Sequence, residues 1–172
     1  MKIKIGRINR TSGFSGLELG IVNNDNKKLS GCVNAIAINN ADEGITGNGN
    51  ALAGNGSDNG DLNGLFNTLV VNSGVNLNGM ANALLGYNHF RGEVKGAVNG
   101  TVCSYIKGNA YGSVISLLVS RVGGKLTGFE FGSLINICGE GSRGLQVGFI
   151  NYRTGGKWYT RLSPFIGIRT GK

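Results

Sequence analysis

Gly54-Asn55-Gly56-Ser57-Asp58-Asn59-Gly60-Asp61 is a run of glycines and oxygen-bearing side chains similar to the nonapeptide that binds calcium in β-rolls, with Asp58 and Asp61 as its carboxylates. Calcium in such rolls is shared between successive turns that repeat the motif. Here the run occurs once and lacks the hydrophobic position, so it reads as a surface loop. Ser104-Tyr105-Ile106-Lys107 matches the SxxK string of penicillin-binding enzymes, where a serine nucleophile stands beside a lysine, but the accompanying SDN and KTG strings are missing. His89, the single histidine, lies in a turn with no repeated carboxylate or cysteine beside it, which leaves a general base without an orienting partner. Cys32, Cys103 and Cys138 are an odd set without CxxC spacing and point to neither a disulfide framework nor a zinc site. The expectation is a protein with no catalytic residues, no metal and no cofactor.

The elements that carry these residues are far more regular than the residues themselves. Gly16, Gly31, Gly47, Gly64, Gly79, Gly96, Gly112, Gly128 and Gly144 recur every 15 to 17 residues. Each is followed four residues later by a small residue: Gly20, Ala35, Ala51, Thr68, Ala83, Gly100, Ser116, Gly132 and Gly148. A period this short signals a stacked β array whose units bury their apolar face only against their neighbours. In one unit, Leu62-Asn63-Gly64-Leu65-Phe66-Asn67-Thr68-Leu69-Val70-Val71-Asn72 alternates like a strand, and Ser73-Gly74-Val75-Asn76 reads as a polar turn.

Even spacing places four positions on one strand face: the residues two before the glycine, the glycine, the small residue, and those six after it (Val70, Leu85 and Val102 among them). That face would be apolar at its ends and nearly bare in the middle. Asn34, Asn50, Asn67, Asn82 and Asn99 form a column on the opposite face, where stacked amides predict a hydrogen-bonded ladder. The column becomes Ile115, Phe131 and Val147 in the last copies.

Two architectures fit. In a parallel β-solenoid one copy is one coil, equivalent residues stack ~4.8 Å apart, and nine coils span roughly 43 Å. In an antiparallel meander or closed barrel of about ten strands, one copy is one long strand plus a hairpin. The unbroken columns favour the solenoid.

Composition supports an ordered array. Gly is 32 of 172 residues, with Pro164 the single proline and 40% hydrophobic residues, which excludes collagen and low-complexity disorder. No apolar run of about 18 residues predicts a transmembrane helix. The stretch MKIKIGRINRTSGFSG lacks the apolar segment of a signal peptide, so the expected location is the cytoplasm, with the cell surface or exterior reached only by signalless export.

The organisation expected is a basic N-terminal cap over 1–13, a repeat array over 14–152, and a basic aromatic cap or hairpin over 153–172. Residues 1–10 and 153–172 contain nine cations and no acid, leaving the array at −1 of the net +8. Charge blunts the open ends of a stack. Lys2, Lys4, Arg7, Arg10, Arg153, Lys157, Trp158 and Arg161 are also candidates for contact with an anionic lipid or an envelope polymer. Nucleic acid is not expected, because the cations form no stripe interleaved with aromatics.

Gly16-Leu17-Glu18-Leu19-Gly20-Ile21-Val22-Asn23 and Gly144-Leu145-Gln146-Val147-Gly148-Phe149-Ile150-Asn151 resemble the GφxφGφφN unit of bacterial "surface repeat" proteins, and Leu162-Ser163-Pro164-Phe165-Ile166 resembles the close of those arrays. The resemblance extends over most of residues 14–168 and implies a surface or scaffold role without catalytic residues. The function expected is therefore a non-enzymatic structural protein that assembles end to end, as in a filament, or side by side. The alternative is a binding module on an anionic membrane or envelope surface. A membrane pore lacks the paired aromatic girdles such barrels carry.

Overall fold

The repeats from β4 to β15 each fold as two short strands joined by a corner, and all the copies stack in register as a parallel β-solenoid. The computed structural model describes residues 2–155 and 161–171. Its strands are β1 (Ile3–Thr11), β2 (Phe14–Asp25), β3 (Leu29–Ala41), β4 (Gly44–Ala51), β5 (Gly54–Gly56), β6 (Asp61–Thr68), β7 (Val71–Gly74), β8 (Leu77–Ala83), β9 (Tyr87–Phe90), β10 (Val94–Gly100), β11 (Cys103–Ile106), β12 (Ala110–Ser116), β13 (Val119–Val122), β14 (Leu126–Gly132), β15 (Ile135–Cys138), β16 (Arg143–Arg153) and β17 (Leu162–Thr170). Even-numbered strands from β4 to β14 form one parallel stack, and odd-numbered strands from β5 to β15 form a second. The long strands β1, β2, β3 and β16 run through both. Gly64 pairs with Gly79 and Gly96 with Gly112, a parallel register that excludes the meander and the barrel.

The two ends differ from each other in topology. β1 is itself a rung, laid parallel on β2 from Ile3 opposite Leu17 to Thr11 opposite Asp25. β17 instead turns back antiparallel along β16, with a register shift between Gly148 and Ile150. The hairpin expected at Gly155-Gly156 falls partly outside the described residues, as do Lys157 and Trp158.

The burial pattern corrects the expected apolar face. Residues two before the glycine are buried (Leu62, Leu77 and Val94), whereas Val70, Leu85 and Val102, six after it, are exposed. Two features break the alternation. Each column glycine has a positive φ, +137° at Gly79, which resets the side-chain direction. The corner between the paired strands then turns residues five and six after the glycine outward. The middle of the face is not bare: residues two after the glycine, including Val33, Phe66, Val98 and Val114, fill a core shared by both stacks. Within that column Phe66 lies between Gly49 and Ala81, large against small, and a Cβ on Gly49 would press on the Phe66 ring.

The glycine column has a separate cause. A Cβ on Gly79 would stand against the Gly64 carbonyl oxygen, far inside contact distance, so it is the neighbouring rung that forbids a side chain. Ser142, the polar exception two before Gly144, is buried, with its hydroxyl donating to the Gly139 carbonyl at 2.6 Å and accepting from the Leu126 amide at 2.9 Å.

Candidate functional site

The predicted amide ladder is present. Asn50 Nδ2 donates to Asn34 Oδ1 at 2.8 Å, and Asn67, Asn82 and Asn99 continue the chain at 2.9, 2.8 and 2.7 Å. This outer ladder is half-buried, and each amide points its donor toward the N-terminal end of the stack.

A second ladder, which the sequence reading missed, lies inside the core. Asn9 donates to Asn23, Asn23 to Asn39, Asn39 to Asn55, Asn55 to Asn72 and Asn72 to Asn88, at 2.8 to 3.0 Å. All six are buried, and their donors point toward the C-terminal end. Each also donates to the backbone of the first stack, as Asn72 does to the Asn82 carbonyl at 2.9 Å and Asn88 to Asn99 at 2.8 Å. The column fails to line up when counted from the glycine, because corners of different length place it seven residues after Gly16, eight after Gly64 and nine after Gly79. Its signal is the closing asparagine of the GφxφGφφN unit, Asn23 and Asn151.

The inner ladder is interrupted at Ser104 and Ser120 and resumes from Asn136 to Asn151 at 2.7 Å. Beside the break, Glu130 replaces the apolar core residue. Its carboxylate accepts from Ser120 Oγ and from Gln146 Nε2, each at 2.7 Å, and Gln146 Oε1 accepts from Arg169 Nε of β17 at 2.7 Å. Burial outweighs these donors and raises the Glu130 pKa to about 7. At the opposite end Glu18 occupies the same inward column. Lys4 Nζ lies 3.6 Å from it, and burial again pushes its carboxyl up from the ordinary value. The N-terminal end of the core is thus closed by an acid with a cation beside it, and the C-terminal end by an acid linked to a cation through Gln146.

The residues singled out for chemistry are held apart. Ser104 is buried in the inner column while Lys107 is exposed at the following turn, so the SxxK pair points to opposite sides. Asp61 accepts from the Asn76 amide side chain at 2.9 Å, and Arg91 donates to the Asp58 backbone carbonyl. Among the described residues no cluster of three His, Cys, Asp or Glu side chains could hold a metal. His89 lies 5.4 Å from the Tyr105 ring, which Arg121 covers at 5.2 Å from its other neighbour, and burial lowers the His89 pKa. The three cysteines are free thiols on different rungs, with Cys138 fully buried.

The basic residues divide between the two ends of the stack. Lys2, Arg7 and Arg10 are exposed at β1, and Lys4 is committed to Glu18. Arg153 and Arg161 are half-buried at the other end, where the Arg153 amide donates to the Arg161 carbonyl at 2.8 Å. Among the described residues they form no single surface.

The most continuous exposed feature is the corner between the stacks. Ile21, Ile36, Leu52, Leu84, Leu117 and Phe149 project there, and on the intervening rungs Val70, Val102 and Leu134 project beside half-buried Leu69, Thr101 and Ser133; rung-to-rung backbone hydrogen bonds fix their spacing, including Leu52 to Ile36 at 3.1 Å and Leu69 to Leu52 at 3.0 Å. No charged residue occupies the corner from Ile21 to Ile150. The inter-coil turns on the opposite edge carry Lys27, Asp42, Glu43, Arg91, Glu93, Lys107 and Lys125. The solenoid is amphipathic in cross-section.

No family model matches the chain, and neither a curated protein nor a solved structure matches it significantly.

Proposed function

We propose that this protein is a non-enzymatic scaffold, a stiff β-stack that associates with copies of itself. The observation that carries this reading is the amphipathic cross-section, an uncharged apolar corner opposite a charged edge. A contiguous apolar surface of this extent marks an interaction site. The two amide ladders supply stiffness, since side chains as well as backbone tie each rung to the next from β1 to β10. The likeness of the terminal repeats to "surface repeat" units supports a scaffold role. Electron microscopy of the purified full chain tests it: paired or longer particles are expected, and isolated single solenoids at every concentration would overturn it.

The exposed Lys2, just before β1, and Arg7 and Arg10 on β1 favour a second reading, in which the N-terminal rung attaches to an anionic surface. Such attachment weakens steeply with salt. Co-sedimentation with phosphatidylserine vesicles at low and high salt checks it, and no binding at low salt would remove it.

A further inference from the structure

We infer that two copies pair antiparallel along the apolar corner, about a two-fold axis through Leu84 and Leu85; this rests on the self-association proposed above and specifies its geometry. Each rung from Arg7 on β1 to Phe165 on β17 sets one residue at the outermost point of the corner, and Leu84 lies midway, with five rungs on either side. Leu84 and Leu85 form the most exposed apolar pair on the corner, at 67% and 63%. Exposed apolar anchors at the centre of a self-complementary patch are what an isologous interface requires.

Extent and shape agree. The stripe from Ile21 to Phe149 crosses eight inter-rung steps, roughly 38 Å at the ~4.8 Å strand spacing. With a covered width of roughly 15 Å, a pair would bury on the order of 1,200 Å² in total, which reaches the lower end of stable interfaces. Between the ridge and the outer amide ladder runs a groove of ≈ 650 Å³ lined by Asn82, Ala83, Leu84, Ile115, Leu117 and Phe131. The Leu84–Leu85 ridge of a second copy can enter it. A second copy also brings the same rung spacing, so the two rows of side chains interdigitate along their whole length instead of meeting at one point.

Charge is compatible with this pairing and helps fix its direction. The charged turns lie on the far edge and stay in water. The one cation in the row, Arg7, ends opposite the aromatic pair Phe149 and Phe165, whose rings meet edge to face at 5.6 Å. Antiparallel pairing therefore places a guanidinium on aromatic faces at both ends.

The test combines sedimentation velocity with site-directed crosslinking of the full chain. Leu84→Asp with Leu85→Asp should weaken association at least about a hundredfold, and at dilutions where the wild-type chain is also monomeric the two should melt at the same temperature, because both residues are exposed. In a Cys32→Ser, Cys103→Ser background, Leu85→Cys should form a disulfide-linked dimer by itself. Leu52→Cys should crosslink with Leu117→Cys and not with itself. Self-crosslinking of Leu52→Cys would overturn the antiparallel register, and undiminished assembly of the double aspartate variant would overturn the corner as the interface, with self-association intact. A wild-type chain that is monomeric throughout overturns both, and if it also binds phosphatidylcholine vesicles through Leu84 and Leu85, the occupant is lipid.

Discussion

Asn72 and Asn82 belong to two ladders built from the same residue at the same rung spacing, yet Asn72 is fully buried and Asn82 only half-buried. Asn72 donates to both Asn88 and the Asn82 carbonyl and accepts from Asn55. Asn82 exchanges amide bonds with Asn67 and Asn99 at the edge of the solvent-facing groove. Water can replace a lost partner in the outer ladder and cannot in the inner one. The difference teaches that burial, rather than residue identity or periodicity, sets the energetic weight of a repeated column. The donors of the two ladders also run in opposite directions along the axis, so their amide dipoles oppose each other.

The most severe way to break the comparison is to remove the spacing both ladders depend on. Gly79→Val puts a branched side chain at φ +137° against the Gly64 carbonyl, and a loss of at least about 3 kcal/mol is expected in thermal or urea melts, with both ladders disrupted.

Next comes the break in the inner ladder, where Glu130 takes over from the amides. The raised Glu130 pKa means the folded chain holds that proton more tightly than the unfolded chain between 4.5 and about 7. The stability that Glu130 contributes is therefore full below that window, falls as pH rises through it, and is lost above it, a change of roughly 3 kcal/mol. Glu130→Gln should flatten most of this slope in melts recorded across the window, and the remaining slope has the sign expected for Glu18, whose carboxyl burial also raises.

The ladders themselves should separate by a smaller margin. Asn72→Ala strands the Asn82 carbonyl and one amide oxygen on Asn88 in the core and should cost about 2 kcal/mol, whereas Asn82→Ala should cost about 1 kcal/mol or less. Equal losses in urea melts would contradict the role assigned to burial. Lys107→Ala, at an exposed turn, should stay within about 0.5 kcal/mol and serves as the baseline.

Much of this architecture is legible in the sequence because in-register stacking turns a steric rule into a column: one close approach between Gly64 and Gly79 repeats at every rung. The outer ladder is legible for the same reason, since Asn34 to Asn99 keep a constant distance from the glycine. The inner ladder drifts from that frame because the corner between the strands changes length, from Gly16 to Asn23 against Gly79 to Asn88. The same corner hid the exposed stripe: strand alternation carried through Leu84 and Leu85 buries one of them, whereas a bend exposes both. Glu130 and Gln146 look like ordinary polar strand residues until Arg169 returns on β17 to reach them.

Self-assembly is tested most directly by the light-scattering mass of the full chain eluting from a sizing column, followed over a dilution series on the order of a hundredfold. The apolar corner predicts a mass that rises with concentration above the 17.9 kDa of one chain. A single species of 17.9 kDa at every concentration would contradict it.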